Sequence, residues 1–263
     1  MPAASPLQRL VRSVTAIVDR GMHQPAVRRF VEEEPVDLIV PALRELMTDL
    51  DKEGYRETYR AVVQCVVNQR TLSYAVVEEL YRVALATQCE PVRYLLLRAP
   101  AQRLALPEEV RPDPDTKELA LGVRKSMARS LDRDVLTRLV LDPTVSVIEI
   151  LLQNPKIIEA DVVRMAARRP SLTGVLELVA DHPKWALRYA VQQSLVQNPY
   201  SPTSVAAALV PYLKGADLAE VANDFALHEA VRRCARTIVD WRRERRGGVV
   251  EPPSEADVGA QDR

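Results

Sequence analysis

Glycine is scarce in this sequence. The chain of 263 residues holds 8 glycines, 3 cysteines, 3 histidines and 2 phenylalanines, and its formal net charge is zero. Each shortage excludes something. So few glycines suit neither a many-turned sheet nor a phosphate-cradling loop. Cys65, Cys89 and Cys234 are far apart, odd in number and form no Cys-x-x-Cys pair. That argues against a disulfide framework or a zinc site, and for buried free thiols in the reducing cytoplasm. Lys plus Arg and Asp plus Glu both number 36, so the global basicity of a dedicated nucleic-acid binder is missing. No apolar run approaches the roughly 18 residues of a membrane span. The opening MPAASPLQRLVRSVTAIV carries arginines inside its apolar stretch, unlike a secretory leader.

Catalytic constellations are also missing. His23, His182 and His228 each stand alone, away from any cysteine or second histidine at metal-ligand spacing. No G-x-S-x-G, Walker-type, dinucleotide or H-E-x-x-H pattern occurs. Carboxylates cluster at Glu32, Glu33 and Glu34 and at Asp49 and Asp51. They lie in polar surroundings, without the apolar setting that separates the pKa values of an acid–base pair. No catalytic residue, metal or cofactor is assigned, and no enzymatic activity is expected.

Proline is plentiful, at 19. In the second half it punctuates the chain at positions 143, 155, 170, 183, 199, 202 and 211. The segments between the first five have the length of a short helix plus its turn. Asp142-Pro143, Asn154-Pro155 and Asn198-Pro199 are turn dipeptides, because a residue before proline is pushed out of the α region. Pro183 to Asn198 reads as one helix. Leu187, Ala190, Val191, Ser194 and Leu195 form its apolar stripe, with Gln192, Gln193 and Gln197 between them. Ser201-Pro202 is expected to open the next helix and Lys214-Gly215 to close it. Thr144 to Gln153 is apolar enough for a buried strand, but it stands in the same frame as Lys184 to Gln197 and is read as an inner helix. Earlier segments are helical in pattern: Leu7 to Val14, Val36 to Leu50, and an expected antiparallel pair, Gly54 to Asn68 and Leu72 to Ala86.

Two helix endings repeat. LLQNP (Leu151 to Pro155) returns as LVQNP (Leu195 to Pro199). The fuller element Asp181-xxx-Trp185-x-Leu187-Arg188-x-Ala190-xxxx-Leu195 resembles the second-helix pattern of HEAT-type repeats and their bacterial leucine-rich-variant relatives. Weaker echoes are Val27-Arg28, Val92-Arg93, Val123-Arg124 and Val231-Arg232. The resemblance implies an all-α chain, an irregular HEAT-like α-solenoid of stacked antiparallel helix pairs. In it the apolar member points inward, and the arginine ties its turn to the aspartate or carbonyls of a neighbour. Uneven spacing between the copies leaves a non-repeating helical bundle as the alternative. The expected organisation is an N-terminal helical region (1–98), a proline-rich linker or long loop (99–116), a repeat region with a basic capping helix (117–246) and an acidic, aperiodic tail (247–263).

Two sets of side chains are candidates for contact with a partner. Tyr55, Tyr59, Tyr74 and Tyr81 fall in one stretch, at helical spacings within each pair, and would either fill core or line an aromatic groove. Arg232, Arg233, Arg236, Arg242 and Arg243, with Trp241 among them, give the last helix a local excess of positive charge. It would serve as a soluble cap or as a surface for an acidic partner. Asp181, Trp185, Leu187, Arg188 and Leu195 are structural residues of the repeat. The expected function is a non-catalytic scaffold or adaptor that binds another protein through a concave surface. The alternative is nucleic-acid binding by the basic helix, in the manner of HEAT-like DNA glycosylases.

Overall fold

The computed structural model describes residues 4–67, 72–97, 99–245 and 247. Among them are sixteen α-helices and no strand. The first six are α1 (Pro6–Thr15), α2 (His23–Glu33), α3 (Val36–Thr48), α4 (Tyr55–Val67), α5 (Tyr74–Ala86) and α6 (Glu90–Leu96). After the proline-rich segment come α7 (Pro114–Lys117), α8 (Leu121–Met127), α9 (Arg133–Leu139), α10 (Val145–Leu152), α11 (Glu159–Ala167) and α12 (Thr173–Asp181). The chain finishes with α13 (Tyr189–Val196), α14 (Thr203–Leu209), α15 (Gly215–Asn223) and α16 (Glu229–Arg245). The tail and the expected turn at Gln69 to Thr71 lie outside the described residues, apart from Gly247.

Local chemistry sets the ends. Ser5 and Gln8 cap α1 reciprocally, hydroxyl to backbone N–H and side-chain carbonyl to backbone N–H. Gly54, at the entrance to α4, has φ +76°, and an added Cβ would sit 2.7 Å from Thr15 Cγ2. Only glycine fits there. The apolar stretch after Thr144 is helical, as α10, with Val147, Ile148, Leu151 and Leu152 buried. The 3.6-residue period therefore wins over β-branched composition.

Packing within the second half joins several helices to their second neighbours. α8 touches α10, α10 touches α12, and α11 touches α13, which leads on to α14. In the first half α1 packs on α2, α3 and α4, while α5 packs on α3 and α6. The expected α4–α5 pair does not form as a packed hairpin. The buried stripe of α4 faces α1 and α2, and α5 has only Leu80 and Ala84 fully inside. One apolar cluster runs through both halves, from Leu7 to Trp241.

The proline-rich segment is pinned along the turns of the second half. Thr203 Oγ1 donates to the Pro100 carbonyl at 2.5 Å, and the Arg103 N–H donates to the Pro199 carbonyl at 2.9 Å. Arg168 donates to the carbonyls of Arg111 and Leu141. The segment thus carries the chain from the end of α6 to the far side of the second half. The later helices build back until α14 and α16 meet α6. The last helix consequently does not cap a stack. It packs on α15 and α14 and also on α6 and α3, where the two halves join.

The repeated endings share one hydrogen-bond device. Asn154 is buried. Its Nδ2 donates to the carbonyls of Ala128 (2.9 Å) and Ser130 (2.7 Å), and its Oδ1 accepts from the Lys156 N–H (2.9 Å). Asn198 repeats this with the Ala166 and Arg168 carbonyls (2.7 and 2.9 Å) and the Tyr200 N–H (3.0 Å). Each asparagine satisfies carbonyls that a helix C-terminus leaves without an internal partner. It ties its own turn to the previous layer.

Arginine ties are also present, one at the expected echo Arg124 and others at positions not expected. Arg124 reaches the buried Asp142 (2.6 Å) and Thr144 (3.0 Å). Arg133 reaches Asp161 (2.7 Å) and the Lys156 carbonyl (2.9 Å), and Arg169 the Gln197 carbonyl (2.5 Å). Burial pushes the Asp161 carboxyl up, but hydrogen bonds from Arg133 and the Ile158 N–H outweigh that and hold it below the usual range. Arg188, the expected tie, is exposed and stands 3.7 Å from an exposed Glu159. Such a pair contributes little.

Candidate functional site

Between the halves lies a groove of about 420 Å³. α2 and α4 form one wall through Gln24, Arg60, Val63 and Gln64. The other wall is the end of α12, the following turn and α13, through Asp181, Ala186, Leu187 and Gln192. Val205, Ala208 and Leu209 of α14, with Tyr212, form the apolar floor. The volume falls within the range of sites that hold a small ligand or a short peptide.

The wall beside α13 is a correction to the single helix expected from Pro183 to Asn198. The chain makes one 3-10 turn at Trp185–Leu187, extends at Arg188, and starts α13 only at Tyr189. His182 fixes the turn. Its Nδ1 accepts from the N–H groups of Lys184 (3.2 Å) and Trp185 (3.3 Å). Trp185 is buried, and its indole N–H donates to the Leu152 carbonyl at the end of α10 (3.1 Å). Leu195 is buried as expected. Leu187 is not: the break before α13 turns it outward, 47% exposed, at the lip of the groove. Gln192 departs the other way. It is buried, with Nε2 on the Ala186 carbonyl (2.8 Å). Two further boundaries move. Ser201 donates to the Leu195 carbonyl at 2.6 Å and does not cap α14, and Lys214-Gly215 opens α15 and closes nothing.

Several polar groups in the groove are left over. The side-chain amides of Gln24 and Gln64, and the Oε1 of Gln192, have no hydrogen-bond partner among the described residues. The Asp181 carboxylate has neither an ion pair nor a hydrogen bond there. Partial desolvation raises its pKa above the ordinary carboxylate value. Among the described residues no three His, Cys, Asp or Glu side chains come together as a metal would need.

The tyrosines do not share a surface. Tyr59 is fully buried, and its hydroxyl donates to the Ala208 carbonyl across the two halves (2.9 Å), with its ring 5.3 Å from that of Tyr212. Tyr55 is buried and donates to Glu45 at 3.3 Å. Tyr81 packs half-buried against the core, and only Tyr74 is open, at 81% exposure. An aromatic groove built from these four does not exist, because the apolar faces of α4 and α5 turn to different neighbours.

The basic helix is largely occupied by the protein itself. Arg236 donates to the Ala222 carbonyl (3.0 Å). Arg242 donates to the Pro211 (2.6 Å) and Leu213 (2.7 Å) carbonyls. Arg233 pairs with Glu229 at 2.6 Å, Arg245 with Asp49, and Arg232 stacks over Phe225 at 4.7 Å. Trp241 is buried beneath Arg44 (5.1 Å). Arg243 is exposed and has no partner among the described residues. A second cleft of about 680 Å³ beside the end of α16 mixes Lys52, Arg56, Lys214, Arg242 and Arg245 with Asp49 and Asp51. Its carboxylates are already paired, Asp51 with Arg56 and Asp49 with Lys52 and Arg245.

The chain matches no family model, no curated protein and no solved structure. Its class is therefore the one its own helices define, an all-helical protein in which no helix among the described residues is long and apolar enough to cross a membrane. The groove residues most at issue, Gln24, Gln64 and Gln192, were not foreseen. Gln192 carried a signal: it stands three residues before the core position Leu195, on the buried side of its helix.

Proposed function

We propose that this protein is a non-catalytic helical-repeat scaffold that binds another protein, with α8 to α14 as a HEAT-like block. The observation that carries the proposal is the groove between the two halves. It has an apolar floor, an exposed leucine at its lip and polar groups that the chain itself leaves without partners. Surfaces of this kind gain on binding, because unpaired amides and bare apolar area both find partners there. The three free, buried cysteines fit a reducing compartment, and we place the protein in the cytoplasm. Nucleic-acid binding through α16 is disfavoured, since most of its arginines already serve carbonyls and carboxylates.

A photo-cross-linking residue at position 187, compared with one at the more open Phe225 on the α15–α16 turn, tests this in the native cell. Discrete protein adducts from position 187 and none from 225 are expected. No adduct at 187, or the same adducts from both, would refute it.

A further inference from the structure

Asp181 is badly placed for an isolated carboxylate. It is the last residue of α12, where the helix dipole presents its negative end. It is solvent-exposed at the rim, where the groove still removes part of its hydration, and no cation or hydrogen-bond donor among the described residues answers it. Arg60, the basic residue of the opposite wall, is turned to the Pro183 carbonyl (3.5 Å). The helix end and the partial loss of hydration both act against the charge in the free protein, and an incoming cation would offset them.

The surroundings narrow the class of ligand. Gln24 and Gln64 each offer one amide donor pair and one acceptor, and Gln192 offers an acceptor. A main chain presents the complementary alternation of N–H and C=O groups. The floor of Val205, Ala208 and Leu209 has no polar side-chain atom and suits an aliphatic side chain. Building on the scaffold function proposed above, we infer that the groove takes a short peptide segment of the partner in which lysine or arginine stands beside an aliphatic residue. The cation sits on Asp181, the aliphatic side chain on the α14 floor, and the peptide amides on the glutamines.

The experiment uses arrays of random octapeptides with one fixed step, probed with the full chain. The fixed steps are Lys-Leu, Glu-Leu and Lys-Ser. Binding to the Lys-Leu array above both others is expected. Asp181→Asn should weaken that binding about tenfold, as loss of a charge-assisted hydrogen bond does. Asp181→Lys should move the preference to the Glu-Leu array. This gain of binding a merely unfolded variant could not give. Equal binding to the Lys-Leu and Glu-Leu arrays, or an unchanged preference in Asp181→Lys, would overturn the inference. If position 187 still cross-links to a protein in that case, the scaffold function stands and only the peptide chemistry fails. If a small amine competes as well as the peptides do, the peptide proposal is likewise lost.

Discussion

Asn198 offers the most direct test of how the layers are held. Replacing it with alanine removes two donors and one acceptor at a site 2% exposed. Three backbone groups then lose their partners: the Ala166 and Arg168 carbonyls and the Tyr200 N–H. Each buried group left unpaired costs about 1–3 kcal/mol, and one water entering the vacated polar space recovers part of that. The net loss is about 3–5 kcal/mol, a large share of the roughly 5–15 kcal/mol that holds a typical domain folded. Urea unfolding followed by far-UV circular dichroism measures it. Melting should fall by about 2–4 °C for each kcal/mol. Asn198→Asp sharpens the test. At neutral pH a carboxylate would face two carbonyl oxygens with nothing to donate, so it should destabilise more than alanine. Below about pH 4 the protonated carboxyl regains one donor and stability should partly return. Gln153→Ala, in the other copy of the motif and exposed, should stay within about 0.5 kcal/mol of the parent. A loss under 1 kcal/mol for Asn198→Ala, or an equal loss for Gln153→Ala, would refute the layer-tie account.

Arg124→Ala should cost about 3–5 kcal/mol by leaving the buried Asp142 carboxylate without its cation, and adding Asp142→Asn should restore part of it, as a double-mutant cycle in urea would show. Tyr59→Phe should cost about 1–2 kcal/mol by orphaning the Ala208 carbonyl; a neutral result in the same assay would remove that hydroxyl from the join between the halves. His182 is held below its ordinary pKa of 6.5 by desolvation and then by Lys184. A base with a lowered folded pKa contributes stability that is full above 6.5 and is lost as pH falls through the folded value. The midpoint of unfolding should therefore drop between pH 7.5 and about 5, and His182→Asn, which keeps an acceptor without the titration, should flatten that part of the profile.

The helical class was legible in the sequence because it follows from local rules: proline stops, apolar recurrence at three and four residues, and few glycines. The repeated Leu-x-Gln-Asn-Pro ending marked a real unit, and the idea that an arginine ties an aspartate of the next turn holds at Arg124 and Asp142. Which copies carry the tie was not legible. Arg188 lost its expected role when the 3-10 turn at Trp185 broke the helix. That break depends on His182 and on a carbonyl of α10, 33 residues earlier in the chain. The tyrosines show the same limit. Spacing put Tyr55 with Tyr59 and Tyr74 with Tyr81, but it could not say that α4 and α5 face different neighbours.

By itself the sequence determined the helical class and most of the helices, since these are decided within a few residues by backbone sterics and apolar period, while several helix ends, such as the break before α13, were set by distant contacts. Only the tertiary structure decided that the chain folds back on itself, that α16 lies where the halves meet, and that a groove opens between α4 and α14 with Asp181 unanswered on its wall. Those outcomes depend on contacts between residues more than a hundred positions apart, as between Tyr59 and Ala208, which no local pattern encodes.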